Sequence, residues 1–356
     1  MKENSMKKVA LIGFGGMGSW HATKIAEGGS VILAGIWDIS EARRALAKEK
    51  NIHVYSSLDD LLSDKEVEIV TVAVPNELHL PLCCQAMRAG KNVICEKPVA
   101  LNSDELAQMI KCSKETGMLF TTHQNRRWDC DYLLMKNLYA SGDIGNVFRI
   151  ESRYFGSRGI PGDWRQLKAH GGGMMLDWGV HLIDQITQMV YDKKIESVYC
   201  TCEHITNDEV DDGFKLDLNF EGGLVARIEV GTSYFIHMPR FYMAGDNGSA
   251  TVDSWNDDCR VVSCKIRDEK NITPVVTAAG LTKTMAPRNR DSVNEYFIPS
   301  PSSDVHDFYR NVCRAIDGEE KQLITHNQLM RVMKIMEAAF RSDEIKAPVK
   351  IDDTIC

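Results

Sequence analysis

The sequence predicts an α/β protein with two domains: an N-terminal doubly wound parallel sheet, then an α/β domain built on a large, mostly antiparallel sheet. Short apolar runs alternate with helical segments from Val9 to about His123, which is typical of parallel strands joined by right-handed crossovers. After Arg126 apolar residues recur with period two, which indicates antiparallel strands with one buried face. A chain of 356 residues is also long for one hydrophobic core, and we place the domain boundary between residues 125 and 126.

The composition is ordinary for a soluble globular protein, with 26% charged and 44% hydrophobic residues. A net charge of −8 argues against general nucleic-acid binding, which needs a basic surface. The first apolar run begins only at Val9 and gives way to Gly13, so we expect neither a signal peptide nor a membrane span, and a cytoplasmic protein. The eleven cysteines are scattered, and we interpret them as reduced core residues.

A glycine-rich turn follows the first predicted strand. The run reads Gly13-Phe14-Gly15-Gly16-Met17-Gly18 and precedes a helix that extends to about Glu27. In this setting the first glycine makes the tight turn, the second lets main-chain amides approach a pyrophosphate, and the third lets helix and strand pack closely. The free amides and the dipole of the helix N-terminus attract phosphates. The pattern therefore predicts a dinucleotide site in a Rossmann-type domain.

The second predicted strand, residues 31–37, ends in Asp38, twenty residues after the last glycine of the turn. A carboxylate at this position accepts hydrogen bonds from the adenosine ribose and repels a 2′-phosphate, which favours NAD over NADP. Arg43 and Arg44 follow closely and would soften that preference if they faced the ribose. The alternative is that both arginines lie on the outer face of a helix capped by Ser40.

Two later strand ends place polar residues at the edge of the sheet where ligands of such folds bind. Residues 69–74 lead into Pro75, Asn76 and His79, and residues 93–95 lead into Glu96-Lys97-Pro98. Lys97 is a candidate for chemistry, with Pro98 restricting its backbone, or else an ordinary solvated lysine at a strand end. Asn76 either caps the following helix or contacts a cofactor.

The second domain carries a predicted hairpin and three covering helices. Apolar residues alternate with polar ones over residues 214–230, with a turn at residues 221–223. Segments at residues 173–190, 305–316 and 327–340 have helical spacing and would cover the apolar face. Residues 268–290 show no clear period and are predicted to form a long loop.

A glycine triplet at residues 171–173 precedes Asp177 and His181, which are four residues apart and hence predicted on one helix face. A carboxylate beside an imidazole selects one tautomer and raises the basicity of the other ring nitrogen, as a general base requires. Two other interpretations are open: a structural pair in the core, and a metal site that includes His170. The spacing matches no strong metal signature, so we predict no metal site.

Together these motifs resemble the Gfo/Idh/MocA family, which includes glucose-fructose oxidoreductase and inositol dehydrogenase. The resemblance rests on the glycine turn, on Val74-Pro75-Asn76 with His79, on Glu96-Lys97-Pro98, and on the glycine triplet followed by Asp177, Gly179 and His181. The motifs follow the family's order over nearly the whole chain. The resemblance implies an NAD-binding Rossmann domain over residues 1–125 and a substrate-binding and oligomerisation domain over residues 126–356.

The resemblance also implies NAD(P)-dependent oxidation or reduction of sugar and cyclitol hydroxyls. It makes Lys97, Asp177 and His181 the catalytic set. We hypothesise that His181 removes the hydroxyl proton, Asp177 orients and charges that imidazole, and Lys97 stabilises the oxygen; in some members the lysine is the base, so the roles of Lys97 and His181 stay open. The implied cofactor-binding residues, with NAD expected, are Gly13, Phe14, Gly15, Gly16, Met17, Gly18, Asp38, Pro75, Asn76, His79, Glu96 and Lys97. Some members have a cis peptide before the proline, so either isomer is open at Lys97-Pro98.

The predicted substrate-binding residues are Arg127, Tyr154, Trp164 and Arg165. Aromatic faces and hydrogen-bond donors suit a pyranose ring, although any one of these side chains could equally be a packing or surface group. We expect a sugar, glycoside or cyclitol substrate, with oxidation at a glycoside C3 as one version, and no nucleic-acid or membrane partner. Alternatives are a glycoside hydrolase that retains NAD and a non-catalytic NAD-binding sensor. By resemblance we also expect a homo-dimer or tetramer, formed through the sheet face that bears Lys215 and Asp217.

Overall fold

The computed structural model describes residues 6–267, 270 and 272–353. Its first strands are β1 (Lys8–Ile12), β2 (Ile32–Trp37), β3 (Val67–Val72), β4 (Asn92–Cys95) and β5 (Phe120–Thr122). Within the described residues they form one five-stranded parallel sheet in the order β2-β1-β3-β4-β5. The connecting helices are α1 (Gly16–Gly28), α2 (Glu41–Glu49), α3 (Leu58–Ser63), α4 (His79–Arg88) and α5 (Ser103–Thr116). The predicted doubly wound sheet is confirmed.

The turn between β1 and α1 is shaped by its glycines. Gly13 has a φ of +96°, which side chains rarely tolerate, and a Cβ there would overlap the main chain of Ala73. A Cβ on Gly18 would overlap the carbonyl group of Gly13. Around Gly15 and Gly16, by contrast, a Cβ would meet no described atom within 4 Å, and α1 begins without a side-chain cap. Open space before an uncapped helix N-terminus is a cradle that fits a phosphate group.

The second part of the chain forms a larger sheet. Its strands are β6 (Val147–Phe155), β7 (Ile195–Glu203), β8 (Gly213–Phe220), β9 (Val225–Gly231), β10 (Phe241–Gly245), β11 (Gly248–Val252) and β12 (Cys259–Cys264); a separate hairpin of β13 (Val275–Thr277) and β14 (Gly280–Thr282) follows, then β15 (Val293–Ile298) and β16 (Val349–Lys350). Over the described part of the chain the sheet has nine strands in the order β15-β12-β11-β10-β6-β9-β8-β7-β16. Only the β6–β9 pair in it is parallel, so the predicted mostly antiparallel sheet is confirmed.

The helices α6 (Cys130–Ser141), α7 (Val180–Met189) and α9 (His326–Ile345) pack against this sheet. The prediction that residues 305–316 cover it as well is wrong, because α8 (His306–Ile316) packs against the first domain: Tyr309 contacts His21, and His306 donates to the Lys24 carbonyl. In the predicted hairpin, β8–β9, Phe214, Leu216 and Leu218 are fully buried, while Lys215 on the other face is exposed. The loop predicted for residues 268–290 contains the β13–β14 hairpin, so that prediction is wrong in part; residues 268, 269 and 271 lie outside the described residues.

The segment after the larger sheet hydrogen-bonds to the first domain. The carbonyl of Ile324 accepts a hydrogen bond from the Thr121 hydroxyl at 3.1 Å, and the Glu337 carboxylate accepts one from the Ser103 hydroxyl at 2.8 Å. Both donors belong to the parallel-sheet part of the chain, Thr121 to β5 and Ser103 to α5, and both acceptors lie after the strands of the larger sheet up to β15. Among the described residues, no helix combines the length and the apolar character needed to cross a bilayer.

The glycine turn leads to a paired prediction. Gly18→Ala should destabilise the fold by about 1–3 kcal/mol, because the new methyl group would overlap main-chain atoms that cannot move aside cheaply. Gly16→Ala, in the first turn of the same helix, meets open space and should leave stability unchanged or slightly higher. Urea unfolding of the two variants measures the difference, and equal midpoints would contradict the packing described here.

Candidate active site

The side chain of Lys97 reaches from the end of β4 to Asp177 in the second domain. Its Nζ lies 2.9 Å from Asp177 Oδ1 and 3.0 Å from the Asp177 carbonyl oxygen. Both side chains are largely buried, with exposed fractions of 15% and 13%. The Lys97-Pro98 peptide, whose isomer the sequence left open, is cis. The structure therefore brings together the amine and the carboxylate that the sequence placed eighty residues apart.

Asp177 does not orient His181, so that part of the hypothesis is wrong. Its second carboxylate oxygen accepts a hydrogen bond from Arg165 Nε at 3.1 Å. Although burial alone would raise the pKa of Asp177, Lys97 and Arg165 hold it below its ordinary value. Asp177, carried by a π-helical turn at Met175–Gly179, is instead held by the two cations Lys97 and Arg165, which bind one carboxylate oxygen each.

His181 is buried, and one of its two ring nitrogens has no hydrogen-bond partner within the part of the chain that the structure describes. It lies in the first turn of α7 with 4% exposure, and its Nδ1 contacts no polar atom of the described residues. Burial, with Lys97 and Arg126 adding nearby positive charge, holds the pKa of His181 well below its ordinary value. The imidazole is therefore neutral and retains a lone pair that can accept a proton.

The glycine triplet lets the two domains approach each other closely. A Cβ on Gly171 would lie 2.5 Å from Leu101 Cδ2, and Cβ atoms on the next two glycines would overlap the Arg165 main chain and the carboxylate of Asp211. Asn76 donates from Nδ2 to the Gly171 carbonyl at 3.0 Å. Asn76 therefore does not cap α4, which was one of its two open roles.

Asp211 is a site residue that the sequence analysis missed. It accepts a hydrogen bond from the Met175 amide at 2.7 Å and so caps the turn that carries Asp177. Burial raises the pKa of Asp211 to about 8. The sequence shows Asp211-Asp212 in a loop, but the Met175 amide that Asp211 binds lies thirty-six residues earlier, and no spacing rule connects the two positions.

Two of the predicted cofactor-binding side chains face the interior instead. The ring nitrogens of His79 lie 2.9 Å from the Pro98 carbonyl and 3.0 Å from the Val74 carbonyl, so this side chain links two strand ends. Glu96 is 4% exposed and directs its carboxylate toward His21 and His123. The prediction that the side chains of His79 and Glu96 contact the cofactor is therefore wrong, because both side chains already pair with buried polar groups of the protein.

Asp38 lies beside the glycine turn, where the sequence predicted it. Its carboxylate oxygens accept hydrogen bonds from the amides of Phe14 at 2.7 Å and Ser40 at 2.8 Å. Arg44 folds back and donates to the carbonyls of Asp38 and Ile39, so the prediction that both arginines lie on the outer helix face is wrong for Arg44. The predicted adenosine end of the cleft therefore carries one acidic and one basic side chain.

The predicted substrate residues separate into two groups. Arg127 forms a two-pronged ion pair with Asp184, at 2.7 Å for each contact, so it is a packing residue and the substrate assignment is wrong. Tyr154 stacks on Trp178 with ring centroids 3.6 Å apart, which occupies the face that a sugar would need. Arg165 lies beside Asp177, and its guanidinium is 4.5 Å from the Trp164 ring.

Arg126 lies between two tryptophan rings near His181. The Arg126 guanidinium lies 4.4 Å from the Trp178 ring and 4.6 Å from the Trp255 ring. Its partner carboxylate is Asp129, at 3.1 Å. Sequence analysis did not identify Arg126 or Trp255, because the contact joins segments more than one hundred residues apart in the chain.

Comparisons with known proteins agree with this architecture. One family profile, described as an oxidoreductase family with an NAD-binding Rossmann fold, matches residues 7–124, and a second, described as the GFO/IDH/MocA C-terminal domain, matches residues 132–251. The chain is 30% identical over 333 residues to an uncharacterized oxidoreductase of Schizosaccharomyces pombe, covering 88% of each protein. It is 26% identical over 354 residues to a scyllo-inositol 2-dehydrogenase (NADP(+)) of Bacillus subtilis, covering 97% of this chain and 96% of that one.

A solved structure supports the same assignment. The crystal structure of an NAD-binding protein from Listeria innocua matches with a TM-score of 0.93 and 38% identity, covering 98% of this chain and 100% of the other. The two profiles follow the order of the two sheets and together span more than half of the sequence. The chain therefore belongs to the Gfo/Idh/MocA family of oxidoreductases, with an NAD(P)-binding Rossmann domain at its N-terminus.

Proposed function

We propose that this protein is an NAD-dependent dehydrogenase that transfers a hydride between a ring hydroxyl of a sugar, glycoside or cyclitol and the nicotinamide. The observation that carries the proposal is the ammonium group of Lys97, held by Asp177 at the carboxyl edge of the parallel sheet. Glycines 15 and 16 and the uncapped start of α1 leave room for the pyrophosphate at the same edge. Oxidation at the C3 hydroxyl of a glycoside is one version of this reaction.

In the proposed mechanism the bound dinucleotide accepts or donates the hydride, and the protein handles the proton and the developing charge. His181, neutral and buried, accepts the hydroxyl proton. Two of the three Lys97 N–H groups point to Asp177, and the third is left to donate to the substrate oxygen and stabilise its negative charge. Asp177 holds the Lys97 amine in place rather than orienting the His181 imidazole.

NAD is the proposed cofactor because of Asp38. Its carboxylate at the end of β2 would accept hydrogen bonds from the ribose hydroxyls and repel a 2′-phosphate. Arg44, which lies against the main chain of Asp38, is the residue that would favour NADP instead, and the Bacillus subtilis relative is named for NADP(+).

The proposed substrate class follows from the site's neighbours and from a relative. Trp164 packs against Arg165, which binds Asp177, and an indole near the site suits the apolar face of a ring. The Bacillus subtilis relative is named for scyllo-inositol. We also propose a homo-dimer or tetramer assembled through the outer sheet face. On that face Arg227 pairs with Asp217 at 2.7 Å, so a second copy would not bury an unpaired charge there.

A substrate screen tests the proposal. NAD+ and NADP+ are each offered with hexoses, inositols, uronic acids, sugar nucleotides and plant glycosides, and reduced nicotinamide is measured. We expect reduction of NAD+ by at least one ring polyol and weaker reduction of NADP+. Hydrolysis of a glycoside without net NADH would indicate the NAD-retaining hydrolase, and tight NAD+ binding with no turnover would indicate a sensor.

Lys97→Met isolates the contribution of the amine. We expect kcat/KM to fall by about two orders of magnitude or more, because a donor to the developing negative charge is lost, while NAD+ binding changes little. Lys111→Met, which removes an exposed lysine, is the matched control and should behave as the wild type. Near-normal turnover in Lys97→Met would contradict the assignment.

The pH profile tests the state of His181. The reactive form of the imidazole is neutral, and its lowered pKa keeps it neutral at pH values where an ordinary histidine is protonated. The acidic limb of kcat/KM for alcohol oxidation should therefore lie clearly below about 6.5, the pKa of an ordinary histidine. A limb centred near pH 6.5 or above would show that the base is a different group or that the imidazole is solvated.

A further inference from the structure

The two cations at the proposed reacting position are both matched by carboxylates. Lys97 Nζ lies 2.9 Å from Asp177 Oδ1, and Arg165 bridges two acids, with Nε 3.1 Å from Asp177 Oδ2 and Nη1 2.8 Å from Asp163 Oδ2. The two cations and the two carboxylates of this group add up to no net charge. Lys97 and Arg165 therefore lie in the site as members of ion pairs.

The tryptophan rings near His181 pack against two further arginines, which are matched in the same way. Arg126 pairs with Asp129 at 3.1 Å, and Arg240 Nε lies 3.2 Å from Asp131 Oδ2. The side chains of Arg240 and Asp131 are almost completely buried. Burial raises the pKa of Asp131 to about 6 and also raises that of Asp129. At about pH 8 both carboxylates are ionised, and this side of the site also carries no net charge.

The buried carboxylate behind Lys97 leaves no surplus positive charge there. Glu96 Oε1 accepts hydrogen bonds from His21 Nε2 at 2.7 Å and from His123 Nδ1 at 2.9 Å. Although burial opposes it, the two rings hold the pKa of Glu96 well below its ordinary value. Burial lowers the pKa of His21, so this ring is neutral at about pH 8. Glu96 therefore faces at most one positive ring, that of His123, and offsets its charge.

An anionic substituent of a substrate would meet only cations that already have a carboxylate partner. To bind one of them, it would have to draw an arginine or lysine away from that partner, which leaves a largely buried carboxylate unpaired and is costly. It would also lose its own water shell on entering the cleft. A neutral hydroxyl needs neither step, because it can accept from the remaining N–H of Lys97 and donate to the neutral ring of His181.

We propose that the site selects neutral ring polyols and their neutral glycosides over the corresponding uronates, phosphates and sugar nucleotides, and that Asp129 and Asp163 set this preference. The proposal rests on the proposed function and names its substrate class more narrowly. Asp129 and Asp163 act by cancelling the charges of their arginine partners, and they need not touch the substrate. Asp177 has the same effect, but it also holds Lys97 and so cannot report on charge alone.

Two exposed cations offer a competing route for an anion. Arg158 and Lys168 lie in the segment between β6 and the glycine triplet, and both are exposed. An exposed cation is hydrated and screened by salt, so it attracts an anion weakly and in a salt-dependent manner. His170, in the same segment, lies 2.6 Å from Glu77 Oε1 and is matched whenever it is protonated. Measurement at about 0.15 M ionic strength suppresses binding through Arg158 and Lys168.

The test measures the dissociation constants of matched neutral and anionic probes by titration calorimetry. The protein is saturated with NADH, whose nicotinamide is uncharged, at about pH 8 and about 0.15 M ionic strength. The pairs are D-glucose with D-glucuronate, methyl β-D-glucoside with methyl β-D-glucuronide, and myo-inositol with myo-inositol 1-phosphate. We expect the neutral member to bind at least about tenfold more tightly in every pair in which binding is detected. Equal or tighter binding of an anionic member would overturn the proposal, and so would binding of neither member of any pair.

Charge-removing variants test the two acids. Asp129→Asn keeps an acceptor for its arginine but removes the negative charge. The ratio Kd(anionic)/Kd(neutral) should therefore fall on the order of tenfold, the size of effect for unit charges about 10 Å apart at an effective dielectric constant of about 20. Asp163→Asn should lower the ratio less, because the Asp163 side chain is 42% exposed, against 20% for Asp129. Glu295→Gln, which unpairs the exposed Arg260 at the edge of the larger sheet, is the matched control and should leave the ratio unaltered.

A charge-conserving variant separates charge from packing. Asp129→Glu keeps the negative charge and should retain a ratio near that of the wild type. An equal fall in Asp129→Glu and Asp129→Asn would contradict the proposal, because packing would then set the preference. A ratio unmoved in both Asn variants would contradict it as well. If neither Asn variant folds, the wild-type ratios decide.

The binding readout keeps this inference apart from the proposed function. A protein that reduces NAD+ only with anionic sugars would retain the dehydrogenase function and lose the inference. A protein that binds the neutral probes more tightly, but turns over no substrate offered, would support the inference and remove the dehydrogenase assignment.

Discussion

The ion pair between Lys97 and Asp177 is the contact on which the site depends. Lys97 is supplied by the end of a strand in the parallel sheet, and Asp177 by a turn that belongs to the second domain. Neither domain holds both groups, so the site exists only where the two meet. Because Asp177 also accepts from Arg165, the carboxylate is fixed from two directions and holds the amine at a defined place.

Close approach of the two domains comes from residues that lack side chains. Gly171 packs against Leu101 and Asn76 of the first domain, where a Cβ would overlap both, while Gly173 packs against Asp211 of the second. Asp211 then caps the turn that bears Asp177. The carboxylate of Asp177 pairs with Lys97 and Arg165, while burial and the nearby positive charges of Lys97 and Arg126 hold the pKa of His181 well below its ordinary value.

The charged side chains at the site are paired. Lys97 and Arg126 each have a carboxylate partner, and behind Lys97 the Glu96 carboxylate accepts hydrogen bonds from His21 and His123. His21 also pairs with Tyr309 of α8, so a residue from the last part of the chain takes part in this buried cluster.

The sequence alone determined the fold class, the glycine turn, and the residues at the strand ends, because burial periodicity and the need for glycine are local properties of the chain. The boundary at residues 125 and 126 stays a prediction. Tertiary structure alone decided which of the predicted side chains face the cleft. Lys97 does. Inside the protein, His79 pairs with main-chain carbonyls, Glu96 with imidazoles and Arg127 with a carboxylate. Their partners are distant in sequence, and a buried polar group is satisfied by whatever the fold brings within hydrogen-bonding distance, which no spacing rule can report.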